Sequence, residues 1–137
     1  MTDANQWFLD NHDHLGDLGI TIEDQHEGYV RLSLPHDDSL TNPGSDVLQG
    51  GVVATLIDHG GGAAIRTTLD EPLETGHAST ELNVSFVQPA NGDLTAEAEV
   101  IRAGGSMAVV EVEVTTGADD RERTVAVGRV SLFLDRD

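Results

Sequence analysis

"LQGGVVATLIDHGGGAAI", residues 48–65, decides how the chain is read. Val52, Val53, Leu56, Ile57, Ala63, Ala64 and Ile65 recur at spacings of three, four and seven, the signature of a helix. The spacing predicts a helix from Gly50 to about Thr67, which at 1.5 Å per residue spans about 27 Å, the width of a small domain. Yet Asp58 sits in its middle, and Gly60, Gly61 and Gly62 follow almost at once. Each glycine costs on the order of 1 kcal/mol of helix propensity relative to alanine. Three in succession belong where a backbone approaches closely or the helix bends. Gly61 and Gly62 lie three and four residues beyond Asp58, and Ala54 lies four before it, so the carboxylate is expected on a small-residue face with room for a ligand or another subunit.

Beyond "LDEPLETG" (69–76) the apolar period changes to two. "HASTELNVSFVQPA" (77–90) alternates Leu82, Val84 and Phe86; "LTAEAEVIRAG" (94–104) alternates Ala96, Ala98 and Val100 against acids; "MAVVEVEVTTG" (107–117) sets Val110, Val112 and Val114 opposite Glu111 and Glu113; "RTVAVGRVSLFLD" (123–135) closes the pattern. "PANGD", "AGGS" and "GADDRE" are the turns between them. Four consecutive strands over 76–135 are expected to form an antiparallel meander with one apolar and one acidic face. Upstream, "ITIEDQHEGYVRLSLP" (20–35) predicts a hairpin turning near Glu27-Gly28, and "HDDSLTNPGSD" (36–46) a loop. Residues 4–15 predict a short helix pressing the pair Trp7 and Phe8 onto something larger. A sheet with one apolar face needs a cover, and the segment from Gly50 is the long helix available. The expectation is one α+β domain over residues 1–137, a curved sheet of five to six strands wrapped around one central helix.

Twenty-five acidic residues stand against seven basic ones, all arginine, for a formal charge of −18. Nucleic acid and anionic membranes are therefore expected to be repelled. Acidity with regular apolar patterning points to a folded surface adapted to molar salt, where a short Debye length mutes self-repulsion; the expected source is a halophile. Without cysteine there is no disulfide, thiolate nucleophile or cysteine-ligated metal. The start "MTDANQWFLDNHDHLGDLG" lacks the basic and apolar segments of a signal peptide, and there is no apolar run long enough to span a bilayer, so a soluble, cytoplasmic protein is expected.

"LQGGVVATLID", "STELNVSFVQPA", "GDLTAEAEVIRAGGSMAVVEVEV" and "VAVGRVSLFL" resemble, in this order and over roughly residues 20–135, the PaaI-like acyl-coenzyme A thioesterases of the hotdog superfamily. The resemblance implies a curved antiparallel sheet around one long helix, paired into dimers with a continuous sheet and often into tetramers. It also implies a thioester substrate and no separate cofactor, coenzyme A being part of that substrate. The family's usual motif is His-Gly-Gly at the helix start, with an acid eight positions after the first glycine. Here Gly50 and Asp58 keep that spacing while Gln49 replaces the histidine.

By that resemblance the Gly50 backbone N–H polarises the thioester carbonyl at the positive end of the helix, with Gly51 beside it at the substrate. Asp58, presented by the partner subunit in such dimers, acts as general base or nucleophile. Asn42 matches an asparagine that orients substrate or water, across an interval lengthened here by Pro43. Ser79 matches a hydroxyl that positions water beside the acid, with Thr80 as its neighbour. Arg102 and the turn of Gly104, Gly105 and Ser106 match the region that meets coenzyme A. A basic residue that often follows the first glycine of that turn is missing here, which shifts phosphate binding toward backbone N–H groups.

Simpler readings stand beside these. Gly50 serves equally as a helix-start glycine when taken without Asp58, and Ser79 and Thr80 serve as plain strand residues. His59 points about 100° away from Asp58 on the helix and is expected to pack or meet solvent. His12, His14, His26, His36 and His77 show no paired metal spacing, and no metal is expected. Glu81, Glu97, Glu99, Glu111 and Glu113 read as a solvated sheet face. Three functions follow: a thioesterase, a non-catalytic acyl-coenzyme A binder, and a hotdog dehydratase, against which the loss of the histidine argues.

Overall fold

The computed structural model describes residues 3–117 and 121–136. Two short helices, α1 (Ala4–Asp10) and α2 (Asp13–Asp17), precede a hairpin of β1 (Thr21–His26) and β2 (Tyr29–Leu34). The central helix α3 spans Gly50–Arg66, and β3 (Gly76–Phe86), β4 (Leu94–Ala103), β5 (Met107–Thr116) and β6 (Arg123–Asp135) follow. These six strands form one antiparallel sheet in the order β1-β2-β4-β5-β6-β3. It is the hotdog fold: a curved sheet holding a long helix. No helix among the described residues is long and apolar enough to cross a membrane.

Cross-strand register explains how the sheet receives the helix. Val30, Ala98, Val112, Gly128 and Val84 pair successively across five strands, and Leu32, Ala96, Val114 and Ala126 across four. Alanine and glycine in these rows hollow the sheet surface, so α3 settles deeply against it. Val53, Leu56, Ile57, Ala63, Ala64 and Ile65 of α3 are buried there. The opposite face carries Glu97, Glu99, Glu111 and Glu113, all exposed, as the alternation predicted.

The glycine run belongs to this packing. A Cβ on Gly60 would stand 3.4 Å from Ala98, and one on Gly61 would stand 2.7 Å from Val130, closer than side chains can approach. Gly62 faces a different neighbour, the Arg66 guanidinium, at 3.3 Å. The small-residue face expected beyond Asp58 is thus divided: Gly60 and Gly61 admit the sheet, while Gly62, beneath the Arg66 guanidinium, lines a cleft with Asp58.

Three further expectations change. The helix predicted over 4–15 is two helices, because α1 ends at Asp10 with Asn11 as its cap and His12 caps α2, its Nδ1 accepting from the Leu15 amide at 3.4 Å. Of the aromatic pair, Phe8 is packed while Trp7 stays 45% exposed. The meander contains β4, β5 and β6 only; β3 crosses over to pair with β6 and forms one edge of the sheet, opposite β1. The β1–β2 turn falls at Gly28, whose φ of +81° favours glycine. Of the predicted "GADDRE" turn, residues 118–120 lie outside the described residues.

Candidate active site

The two ends of the site sequence occupy two different clefts. At the start of α3, Gln49 has extended backbone and makes no side-chain cap, and its carbonyl accepts from Val52 N–H at 2.9 Å. The amides of Gly50 and Gly51 therefore head an uncapped helix, where aligned peptide dipoles favour negative charge. Phe86 lies over Gly50: a Cβ there would meet its ring at 3.3 Å. Asn42, Leu48, Gly50, Val53 and Phe86 line this mostly apolar cleft of about 430 Å³. Asn42 is held by its own backbone, donating to the Val47 carbonyl at 2.9 Å and accepting from the Ser45 amide at 3.1 Å. The structure thus gathers Asn42, Gln49, Gly50 and Gly51 at one end of the helix despite the extra Pro43.

Asp58 lines the other cleft, about 360 Å³, with Thr55, Gly62, Arg66, His77 and Ser79. Eight residues of helix separate it from Gly50, about 12 Å. Ser79 Oγ donates to Asp58 Oδ1 at 2.6 Å, the short separation of a charge-assisted bond. A bulge makes that contact possible. Ser79 pairs with Leu132 and Glu81 with Ser131, leaving Thr80 as the extra residue. With strict alternation Ser79 and Leu82 would face opposite ways; the inserted Thr80 keeps both on the helix side. Its own hydroxyl donates to the Ser131 carbonyl at 3.2 Å and stays out of the cleft.

Behind Asp58 lies a polar cluster that sequence reasoning missed. Arg66 is 4% exposed, with Nε donating to Asn5 Oδ1 at 2.7 Å and Nη1 meeting His77 Nε2 at 3.0 Å. His77 Nδ1 meets the Thr75 carbonyl at 2.8 Å; a carbonyl can only accept, so Nδ1 carries the proton and Nε2 accepts from the arginine. The Phe8 ring covers the guanidinium, 4.1 Å from centroid to Cζ. Asn5, 2% exposed, also donates to the Ala63 carbonyl at 3.0 Å, pinning α1 to α3. Arg66 Nη2 and His59 Nε2 are buried without a hydrogen-bond partner.

Burial, then the charge of Arg66 and of His12, pushes the His59 imidazole down to about 3. Burial brings Arg66 down to about 10, so it stays charged at neutral pH. His59 is therefore a buried neutral residue of this cleft. Its companions lie far apart in sequence, at positions 5, 8, 66 and 77, without a recognisable spacing.

The remaining predicted residues sit elsewhere. Arg102 is exposed beyond a bulge in β4, and Gly104, Gly105 and Ser106 form the β4–β5 turn. The row Met107–Phe133–Ala78 places this turn at the Ser79 end of the sheet, two strand spacings or roughly 10 Å across, outside both clefts. Arg136 donates to the carbonyls of Gly105 at 2.9 Å and Gly104 at 3.1 Å. Arg136 thus brings a basic group to this turn from the C-terminal side, which no local spacing announced.

Comparison with known proteins agrees with this architecture. The family model for the thioesterase superfamily matches residues 46–133. A candidate esterase of Halobacterium salinarum is 45% identical over 137 residues, covering 96% of this chain and 91% of the relative. Among solved structures, a thioesterase family protein from Silicibacter pomeroyi superposes with a TM-score of 0.86 at 27% identity, over 95% of this chain and 94% of its own. The E. coli PaaI protein, from the phenylacetic acid degradation operon, shares the fold with a TM-score of 0.80 at 22% identity, over 93% and 88% of the two chains.

Proposed function

Because the chain belongs to the thioesterase superfamily, we propose that it is a PaaI-like hydrolase that cleaves an acyl- or aryl-acyl-coenzyme A thioester with water to the free acid and coenzyme A. The observation that carries this reading is the 2.6 Å bond from Ser79 to Asp58 on a cleft wall. A half-buried carboxylate, oriented by a hydroxyl and free of any ion pair among the described residues, is equipped to take a proton from water or to attack the carbonyl itself. The uncapped amide of Gly50 supplies the oxyanion contact, with Gly51 and Asn42 beside it.

Gly50 and Asp58 stand about 12 Å apart in one chain, so the complete site joins the Gly50 end of one copy to the Asp58 cleft of another. The sheet offers a surface for that assembly: β3 is an outer strand carrying Leu82, 41% exposed, and Phe86, 57% exposed. Coenzyme A would lie across the rim, toward Arg102 and the Gly104–Ser106 turn with Arg136 behind it. No cofactor beyond the substrate is needed, and the charge of −18 disfavours nucleic acid and membrane partners. That charge and the Halobacterium relative support adaptation to molar salt.

Gln49 in place of the family's usual histidine favours a second reading, a non-catalytic acyl-coenzyme A binder. Free-thiol release from a panel of acyl- and phenylacetyl-coenzyme A substrates in molar KCl separates the two. Asp58→Asn is expected to lower turnover by about 100-fold or more. No turnover in either protein, with ligand still bound, would establish the binder instead.

A further inference from the structure

The Asp58 cleft contains a charge that the hydrolytic reading does not use. Arg66 is buried, and its hydrogen-bond acceptors are both neutral, Asn5 Oδ1 and His77 Nε2. Among the described residues it forms no ion pair, and its Nη2 has no partner. A buried guanidinium without a counter-charge is costly, and in a chain of 25 acids against seven bases the missing carboxylate is not for want of supply. His59 Nε2, equally buried and unpaired, lines the same cleft. Phe8 closes one face of the guanidinium and His77 takes an N–H of Nη1, while Nη2 keeps both of its N–H groups unpaired. The guanidinium also lies over Gly62, folded back toward Asp58 rather than away from it.

We propose that this cleft selects an acyl group that ends in a carboxylate, held by Arg66 Nη2 while its thioester carbon lies at Asp58. The inference rests on the thioesterase reading and names the substrate class of that site. Gly62 is four residues from Asp58, about 6 Å along the helix, so an acyl chain of roughly four to six carbons spans the distance. A charge-assisted bond to a buried guanidinium discriminates strongly against a methyl end, which would leave the guanidinium unpaired. Burial leaves Arg66 protonated at neutral pH, so the receptor is charged under working conditions.

The test compares paired coenzyme A thioesters in molar KCl, where screening removes the general repulsion of anions: succinyl against butyryl, glutaryl against valeryl, adipyl against hexanoyl. In the wild type, kcat/KM for at least one dicarboxylic member is expected to exceed its neutral partner by about tenfold or more. Arg66→Met is expected to bring that ratio close to one. Should the variant not fold, the wild-type ratios decide alone. Neutral members hydrolysed as fast as, or faster than, all their dicarboxylic partners would overturn the inference and leave the thioesterase standing.

If no thioester is cleaved, the hydrolytic reading falls, and titration calorimetry with glutarate and hexanoate then tests the receptor by itself. Binding of glutarate well above hexanoate supports the receptor for a terminal carboxylate. Equal binding of the two acids assigns Arg66 to the carboxylate of the released acid and overturns the proposal, as does binding of neither.

Discussion

Replacing Gly61 with alanine asks whether the glycine run serves packing. In a helix interior the change returns about 1 kcal/mol of propensity. Against that gain, the new methyl would stand 2.7 Å from both Cβ and Cγ2 of Val130, where ordinary contact begins at 3.4 Å. Val130 is wholly buried in β6, and its Cβ is fixed to the strand backbone, so no rotamer relieves the overlap. The helix or the strand must move. Overpacking costs about 1–3 kcal/mol, and so rigid a neighbour places this one at the upper end, for a net loss of about 2 kcal/mol. Gly60→Ala is the internal control: its methyl would meet Ala98 at 3.4 Å, so it should be neutral or gain up to about 1 kcal/mol. Urea unfolding followed by circular dichroism, at one KCl and one protein concentration, measures both. A Gly61→Ala protein as stable as Gly60→Ala would refute the packing argument.

Two more outcomes are expected. His59 is held neutral, pushed down to about 3 against 6.5 in the unfolded chain, so between those values the unfolded state binds the extra proton. Stability should therefore fall as pH falls through that window, by up to about 1.4 kcal/mol per unit, and be indifferent to this group above it. His59→Leu should flatten the decline in unfolding free energy between about pH 6 and 4; an unchanged slope would assign the acid sensitivity elsewhere. Leu82→Glu puts a charge on the outer strand, and light scattering after size exclusion should show a shift toward monomer, with hydrolysis falling in proportion. A monomer that keeps full activity would mean that Gly50 and Asp58 need no second copy.

The helix and the six strands were legible because burial on one face writes its period into the chain: Val110, Val112 and Val114 against Glu111 and Glu113 leave little choice of register. Pairing order was less legible. β3 carries the same alternation as its neighbours, and only the crossover of the 87–93 segment sends it beyond β6. The single-residue bulge at Thr80 likewise breaks a period that sequence alone must assume, which is why Ser79 could be matched to Asp58 through family resemblance and not through spacing. The Arg66 cluster was invisible for a different reason. Its members come from α1, α3 and β3, and each taken alone is an ordinary polar or aromatic residue. The glycines announced a close approach but not its partners, since the atoms that require them belong to Ala98, Val130 and Arg66.

The distance from the head of α3 to Asp58 has a genetic consequence. A helix is a rigid ruler, so Gly50 and Asp58 of one chain stay two turns apart whatever happens at the surface. On the proposed mechanism, in which each reaction centre of a paired assembly draws one half from each copy, defects in the two halves become complementary. A chain lacking Asp58 and a chain whose first-turn amide is blocked would each be inactive as homodimers, yet a mixed dimer would reassemble one sound centre from the two intact halves.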